Sequence, residues 1–477
     1  MTVPVFAVVG RPNKGKSSIV ATLARDDSVY IAPQAGSTRE ARRFPMQVNG
    51  EVLYELVDTP GIQRARSVLS WLQEHNADAA SRPDTVRRFI ADMAGDDHYR
   101  DECEALAPIM AGAGIIYVVD GSHPFGADYE AEMEVLRWTG RPSLALINPI
   151  ENDDYVSQWT VGLGQYFTTV RTFNAHRAEL RKQLDLLALF GHLDPGWQSS
   201  LQRAVQVLEE DRLLQHRSAS FLICDMIVDA LEYRTEQSLP EGVPAEPVQK
   251  LLRARYKSHL VKRERQCRKQ VEEAFYYDDL QKDEAEIAFE DEDLFNEEQW
   301  YLWGLSRRQL VVAAASAGGI AGGGAGMVID AATGGLLGGL GTAVTGMGGA
   351  ISSAVGAIKY ADEIAQIKVS GLPSGGKHLS YGPARNINFP FVLLGRALTH
   401  HRLVSMRTHA VRDKLEIQQP VLDWMTDAQR RKLARCFADL RAGKKMTERR
   451  SELAENVLAW CVAVDNPSAS ESSEGAV

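Results

Sequence analysis

The first 190 residues alternate short apolar runs with segments whose apolar positions recur about every 3.6 residues. Strands that alternate with helices in this way predict an α/β fold, with a mostly parallel sheet covered by helices on both faces. One connection differs, because Asn49-Gly50 lies between two apolar runs and predicts a tight hairpin, and therefore one antiparallel strand. The strands are expected at 3–9, 42–48, 52–57, 114–119, 143–147 and 168–173.

After residue 190 the pattern of apolar and polar positions becomes that of long amphipathic helices, so this part of the chain is predicted to be mainly α-helical. The helix at 247–274 is basic and is followed by an acidic tract at 278–298. Its charged face is either a solvated surface or a contact surface for anionic lipid or another partner. The other helices are expected at 198–216, 221–235, 389–414 and 427–440, with a Gly/Pro/Ser-rich linker at 371–383.

Residues 310–358 form the most apolar stretch and contain a single charged residue, Asp330. Their glycines recur in small-x-x-x-small spacing, which predicts two closely packed helices, a glycine-zipper hairpin with its turn at Gly334-Gly335. Each arm has the length that spans the hydrocarbon layer, and aromatic and basic residues flank the stretch. The hairpin is therefore expected either in a membrane, with both ends on the cytosolic side, or in a protein core.

These patterns divide the chain into an α/β domain at 1–190, a helical domain at 191–370, a helical segment at 384–464 and a tail at 465–477. The composition of the tail predicts disorder. His400 and His401 lack the carboxylates and spacing of a metal site and are expected to be ordinary helix residues.

The stretch from Val8 to Ser18 carries the phosphate-binding motif Gly-x-x-x-x-Gly-Lys-Ser between a strand and a helix. In such a loop, backbone N–H groups and the helix N-terminus face the phosphates. Lys16 is expected to reach the β- and γ-phosphates, and the Ser17 hydroxyl is expected to bind Mg²⁺. The predicted nucleotide contacts in this loop are Gly10, Asn13, Lys14, Gly15, Lys16, Ser17 and Ser18.

The composition of the chain indicates which partners it binds and in which cellular compartment it lies. The chain of 477 residues has a formal charge of −10, which gives no strong nucleic-acid signal. The five cysteines are scattered without a Cys-x-x-Cys pair, as is typical of a reducing cytosol. The first apolar run leads directly into the phosphate-binding loop, so no cleavable leader is expected. We expect a cytoplasmic protein, at or in the inner face of the cytoplasmic membrane if the hairpin contacts lipid.

The loop Gly-Arg-Pro-Asn-x-Gly-Lys-Ser is followed by a Thr-Arg pair at Thr38, the hairpin and Asp-Thr-Pro-Gly at residues 58–61. With these motifs in this order and spacing, the sequence resembles the Era-like group of translation-factor-class GTPases. The resemblance implies binding of GTP and GDP with Mg²⁺, and GTP hydrolysis. It also implies that Ser17, Thr38 and Asp58 bind the Mg²⁺, and that Lys16, Thr38 and the Gly61 N–H act on the γ-phosphate.

Two residues near the predicted phosphate site, Ile62 and Asn13, bear on the mechanism of GTP hydrolysis. Ile62 occupies the position where many GTPases keep a water-orienting glutamine, as is usual in Era-like proteins, so other groups must assist catalysis. Asn13 matches an asparagine that helps to hold K⁺ in related potassium-activated members; the alternative is a simple loop hydrogen bond. Turnover is therefore expected to be slow without a partner or self-association.

The guanine-recognition motif departs from the Asn-Lys-x-Asp pattern of the group. Here the sequence is Asn148-Pro149-Ile150-Glu151, so Glu151 takes the place of the aspartate and no lysine can cover the base. Asp153 and Asp154 are the alternatives to Glu151. The resemblance further implies that Asn174-Ala175 follows the last strand as the second guanine-contacting loop.

The whole chain resembles bacterial Era-like GTPases fused to a helical domain of unknown function. The first hypothesis is a membrane-associated switch or assembly GTPase; the alternatives are a ribosome-assembly GTPase and a nucleotide-binding scaffold with little turnover. The long connection from Gly61 to Gly114, with three expected helices, is either a surface for a partner or homo-oligomer, or a structural insertion.

Overall fold

A computed structural model of the chain describes residues 3–25, 40–48, 50–176, 178–277, 367–371, 377–408 and 425–465. The chain divides into two compact units. The first extends to Leu214 and also includes Met406, and the second begins at Gln215. Thr38, the acidic tract and the predicted glycine-zipper hairpin lie outside the described residues.

The first unit contains a six-stranded sheet in the order β2-β3-β1-β4-β5-β6. Every pairing is parallel except that of β2 with β3, which is antiparallel. This confirms the predicted mostly parallel sheet with one antiparallel strand. The strands are β1 (Val5–Val9), β2 (Arg42–Val48), β3 (Glu51–Asp58), β4 (Gly114–Asp120), β5 (Ser143–Asn148) and β6 (Val170–Thr172).

Helices cover both faces of this sheet. Successive side chains of a strand point to opposite faces, so Phe6 and Val8 of β1 lie in one apolar cluster, and Ala7 and Val9 lie in another. A strand that is buried on both faces needs the continuous apolar run found at residues 5–9. The helices of this unit are α1 (Lys16–Ala24), α2 (Ala65–Glu74), α3 (Arg82–Met93), α4 (Arg100–Met110), α5 (Asp128–Trp138), α6 (Val156–Leu163), α7 (Leu180–Leu193) and the start of α8 (Gln198–Glu232).

Helix α8 corrects the prediction of two helices at 198–216 and 221–235. The two predicted ranges leave a break at residues 217–220, but α8 runs unbroken through 35 residues. Ser220 is buried, and its hydroxyl donates to the carbonyl oxygen of Ala454 at 2.9 Å. Because the side chain has this tertiary partner, it does not compete with the helix backbone.

The second unit contains helices and a small sheet that the sequence did not predict. Its strands are β7 (Thr235–Leu239), β8 (Ile367–Gly371) and β9 (Lys377–Tyr381), in the antiparallel order β7-β9-β8. The prediction of a linker at 371–383 is therefore wrong. Leu379 and Tyr381 of β9 are buried in the core of this unit. The helices are the rest of α8, α9 (Ala245–Ala274), α10 (Phe389–Met406), α11 (Asp427–Arg441) and α12 (Met446–Ala463). Helix α12 lies within the predicted helical segment at 384–464 but was not predicted as a separate helix.

Buried charged side chains are paired in the second unit. Arg396 Nε donates to Glu264 Oε1 at 2.7 Å, with both side chains almost wholly buried. His400 contacts Glu272, and burial lowers the pKa of His400. His216 lies between His401, at 3.0 Å, and Asp465, the first residue of the predicted tail, at 2.7 Å.

Among the described residues, no helix combines the length and the apolar composition that a membrane-spanning helix requires. The same described residues contain no group of three His, Cys, Asp or Glu side chains that could hold a metal ion.

Candidate functional site

The loop between β1 and α1 is closely packed against the neighbouring strand ends. Gly15 has φ +80°, and a Cβ at this position would lie 2.2 Å from the Asn148 side-chain nitrogen. Only glycine fits such a close approach with a left-handed backbone. Asn13 also has a positive φ, of 60°, which asparagine tolerates better than most residues. Gly10 follows β1, and its carbonyl oxygen accepts a hydrogen bond from the backbone N–H of Ile62 at 3.3 Å.

Lys16 begins α1 and has only 7% of its surface exposed. Its ammonium group donates to the carbonyl oxygen of Arg11 at 3.0 Å. Burial lowers the pKa of Lys16, while the nearby carboxylates of Asp58 and Glu132 act in the opposite direction. A desolvated cation at a helix N-terminus is suited to bind an anion, because a phosphate would restore the interactions that water no longer provides.

Ser17 and Asp58 meet where α1 begins and β3 ends. The Ser17 hydroxyl donates to Asp58 Oδ2 at 2.7 Å, and Asp58 is buried. The register explains the meeting, because Asp58 lies opposite Val8 at the carboxyl end of β1. A hydroxyl and a carboxylate are the oxygen donors that Mg²⁺ prefers, so this pair fits the metal that the sequence predicts. Ser18, one position further along α1, is also buried.

A partly buried cluster that includes one residue of the loop was not foreseen from the sequence. The Arg11 guanidinium forms an ion pair with Glu132 of α5 and lies 4.2 Å from the centre of the Tyr129 ring. The Tyr117 hydroxyl donates to Glu132 Oε2 at 3.0 Å. Burial raises the pKa of Glu132 to about 7, against the opposing effects of Arg11 and Tyr117. Glu132 lies 121 positions from Arg11, and no local pattern in the sequence marks the pair.

The predicted guanine-contacting residues meet at the carboxyl end of β5. Asn148 donates to the carbonyl oxygen of Lys14 at 3.4 Å and accepts from the backbone N–H of Ala175 at 3.2 Å. Asn174 donates to the carbonyl oxygen of Pro149 at 2.8 Å. Asn148 therefore joins the phosphate-binding loop to the loop at residues 174–175. The Lys14 ammonium group lies 3.4 Å from Asp120, which pairs with Asn148 in the sheet.

Glu151 is held through its backbone, whose N–H donates to the Ser122 hydroxyl at 2.8 Å. The Glu151 side chain is exposed, as are Asp153 and Asp154. The same Ser122 hydroxyl accepts from the backbone N–H of Asn152 at 3.2 Å. Ser122 thus fixes the path of this loop, a role that the sequence did not indicate.

Gly61 lies directly against the phosphate-binding loop, because a Cβ at this position would come within 2.5 Å of Pro12. The next residue, Ile62, is buried. Of the residues predicted to act on the γ-phosphate, Lys16 directly follows this loop and Gly61 packs against it, whereas the structure does not describe Thr38.

The parallel sheet, the phosphate-binding loop and the Ser17–Asp58 pair define a P-loop GTPase domain. In agreement, residues 5–148 match the family model described as 50S ribosome-binding GTPase. Residues 162–458 match a domain of unknown function, DUF3482, which covers more than half of the chain. The chain belongs to the DUF3482 family.

Curated relatives match only part of the chain. GTPase Der from Lactobacillus helveticus is 37% identical over 118 residues, which are 24% of this chain and 27% of the relative. The tRNA modification GTPase MnmE from Azoarcus is 35% identical over 114 residues, which are 24% of this chain and 25% of the relative. The chain thus spans about a quarter of the length of these relatives.

A solved structure of Era in complex with MgGDPNP and a fragment of 16S ribosomal RNA is 20% identical to this chain. The match has a TM-score of 0.26 and covers 37% of this chain and 52% of that chain.

Proposed function

We propose that this protein binds GTP and GDP with Mg²⁺ and hydrolyses GTP. The observation that carries the proposal is the meeting of Lys16, Ser17 and Asp58 at the carboxyl ends of β1 and β3. The buried Lys16 ammonium group would bind the β- and γ-phosphates, and Ser17 and Asp58 would hold Mg²⁺ directly or through water. Asn148 and the loop at 174–175 would bind the base. Mg²⁺ would supply charge neutralisation on the phosphates during transfer.

Slow turnover that rises with K⁺ is the expected result of a GTP hydrolysis assay with purified protein and Mg²⁺. Asn13 has a left-handed backbone within the phosphate-binding loop, and a cation held there would offset the charge that develops on the leaving phosphate. We expect a several-fold higher rate in KCl than in NaCl at equal ionic strength, and no such difference in Asn13→Ala. A wild-type rate that is the same in both salts would exclude the K⁺ role of Asn13, whereas a rate of zero would favour the scaffold alternative.

Guanine preference is expected to depend on Glu151. A carboxylate that accepts two hydrogen bonds from guanine contributes about 1–3 kcal/mol, and its loss leaves donors unpaired. Glu151→Ala should therefore reduce the preference for GTP over ATP by about tenfold or more, measured by competition against a fluorescent GDP. The matched controls are Asp153→Ala and Asp154→Ala, which are exposed on the same loop. If one of these removes the preference and Glu151→Ala does not, the guanine carboxylate is that aspartate.

We further propose that the protein acts as a membrane-associated switch or assembly GTPase at the inner face of the cytoplasmic membrane. Support comes from the sequence of residues 310–358, which has a single charged residue and regularly spaced glycines. The ribosome-assembly alternative is favoured by the description of the family model that matches residues 5–148. Cell fractionation separates the two, because one predicts the protein in membranes and the other predicts it with ribosomal particles.

A further inference from the structure

The loop after Gly61 is held on both sides by hydrogen bonds. Its first N–H group, that of Ile62, donates to the carbonyl oxygen of Gly10 in the phosphate-binding loop. The next two, those of Gln63 and Arg64, both donate to one carboxylate oxygen of Glu102, at 3.0 and 2.8 Å. Three consecutive backbone groups therefore fix residues 62–64 between the phosphate-binding loop and helix α4.

Glu102 is almost wholly buried, with only 1% of its surface exposed. Its oxygen Oε1 accepts both bonds, while the buried Oε2 has no hydrogen-bond partner among the described residues. Burying a carboxylate oxygen without a partner costs free energy. The first turn of α4 reduces this cost, because the N-terminus of a helix favours a negative charge. All hydrogen bonds described for this buried carboxylate therefore go to the backbone of residues 63–64.

Helix α4 is a fixed support for this contact. Leu106 and Ile109 of α4 are fully buried in the same apolar cluster as Ala7 and Val9 of β1. Since β1 leads into the phosphate-binding loop, α4 and that loop are anchored on the same strand. A displacement of residues 62–64 relative to the phosphates must then break the bonds to Glu102 rather than move α4.

The same helical turn also contacts residues 40–41, which follow Thr38 in the sequence. The backbone N–H of Ala41 donates to Glu104 Oε2 at 3.1 Å, and the Arg100 side chain lies 3.4 Å from the Glu40 carboxylate. Asp101 accepts from the Gln63 side-chain amide at 2.9 Å. One turn of α4 therefore bonds both to residues 40–41, which follow Thr38 in the sequence, and to residues 63–64, which follow Gly61.

We infer that Glu102 is a positioning residue for GTP hydrolysis, which holds the Gly61 loop in place for the γ-phosphate. The inference rests on the proposed GTPase function. It requires that loss of the Glu102 carboxylate lowers the hydrolysis rate and the affinity for GTP, which carries the γ-phosphate. The affinity for GDP, which lacks the γ-phosphate, should change little. The hydrogen bonds from Gln63 and Arg64 hold the Gly61 N–H close to the phosphate-binding loop. Without these bonds, the Gly61 N–H can move away from the γ-phosphate.

The test compares Glu102→Ala and Glu102→Gln with the wild type. Glu102→Ala removes the acceptor and should lower kcat for GTP about tenfold, the effect of losing hydrogen bonds to a charged acceptor, with GDP affinity within about twofold of wild type. It should also lower the affinity for a non-hydrolysable GTP analogue relative to GDP. Glu102→Gln keeps an acceptor oxygen and should recover most of the rate. The control is Asp84→Asn in α3, whose carboxylate pairs with Arg87 at the surface and which should match the wild type.

Hydrogen exchange separates a positioning role from a loss of folding. In Glu102→Ala, amide exchange should become faster for residues 63–64 while the amides of β1 and β4 stay protected. Glu102→Ala that equals the wild type in kcat, in the GTP-analogue to GDP affinity ratio and in exchange at 63–64 would overturn the inference. A wild type that hydrolyses no GTP would instead overturn the proposed function, and the affinity ratio and exchange would still decide the role of Glu102.

Discussion

Lys16→Ala is expected to hydrolyse GTP about 100-fold more slowly than the wild type, or slower still. This is the usual effect of removing one preorganised positive charge that stabilises a phosphoryl group during transfer. The ammonium group is buried at the start of α1, and the carboxylates of Asp58 and Glu132 lie near it. In the free protein this cation is desolvated, so its removal should not lower the melting temperature without nucleotide. With nucleotide, the mutant should lose the stabilisation that a bound ligand provides, which is about 2.7 kcal/mol at 100 times Kd.

The measurement is GTP turnover together with melting temperature, each with and without GDP and Mg²⁺. Lys182→Ala is the matched control, because Lys182 is exposed on α7 of the same unit. It should leave both the rate and the nucleotide-induced rise in melting temperature unchanged. If Lys16→Ala hydrolyses GTP as fast as the wild type, the proposed enzymatic function is wrong.

Removal of residues 310–358 is expected to move the protein from the membrane fraction to the supernatant. This stretch has a single charged residue, and inserted helices of its length would match the bilayer. Nucleotide binding should persist, because the candidate site belongs to the first unit. The core of the second unit is already formed by buried residues of α8 to α12 and the small sheet.

Carbonate extraction of membranes followed by fluorescent GDP binding provides the measurement. Gly322→Leu and Gly338→Leu are point variants for the same question, because a leucine would separate closely packed helices. The opposite result is a full-length protein that stays in the supernatant without detergent and a deletion variant that aggregates. That result would show that the stretch belongs to a protein core, and it would leave the GTPase proposal intact.

Local sequence predicted those parts of the first unit that depend on neighbouring residues. The apolar run at 5–9 predicts β1 because a strand buried on both faces needs apolar side chains in succession. Asn49-Gly50 predicts the antiparallel hairpin because few other pairs accept the turn. The three helices between β3 and β4 were also predicted, and the structure confirms them at Ala65–Glu74, Arg82–Met93 and Arg100–Met110.

Prediction was weaker in the second unit, where partners lie far apart in the chain. Strand β9 pairs with β7, about 140 positions earlier, and this pairing converts an apparent linker into a strand. Ser220 continues α8 because its hydroxyl reaches Ala454 in α12. Local composition could not reveal either partner, since propensity is a weak guide when a tertiary contact satisfies the polar group.

For the candidate site, the sequence by itself determined the phosphate-binding loop, because the spacing of Gly10, Gly15, Lys16 and Ser17 is local and its chemistry follows from residue type. Only the tertiary structure decided which carboxylates surround that loop. Glu132 pairs with Arg11 across 121 positions, and Glu102 holds the backbone at Gln63 and Arg64 from a different helix. The physical reason is that a buried carboxylate is defined by the donors that fold around it, and these donors are assembled by the packing of α4 and α5 on the sheet.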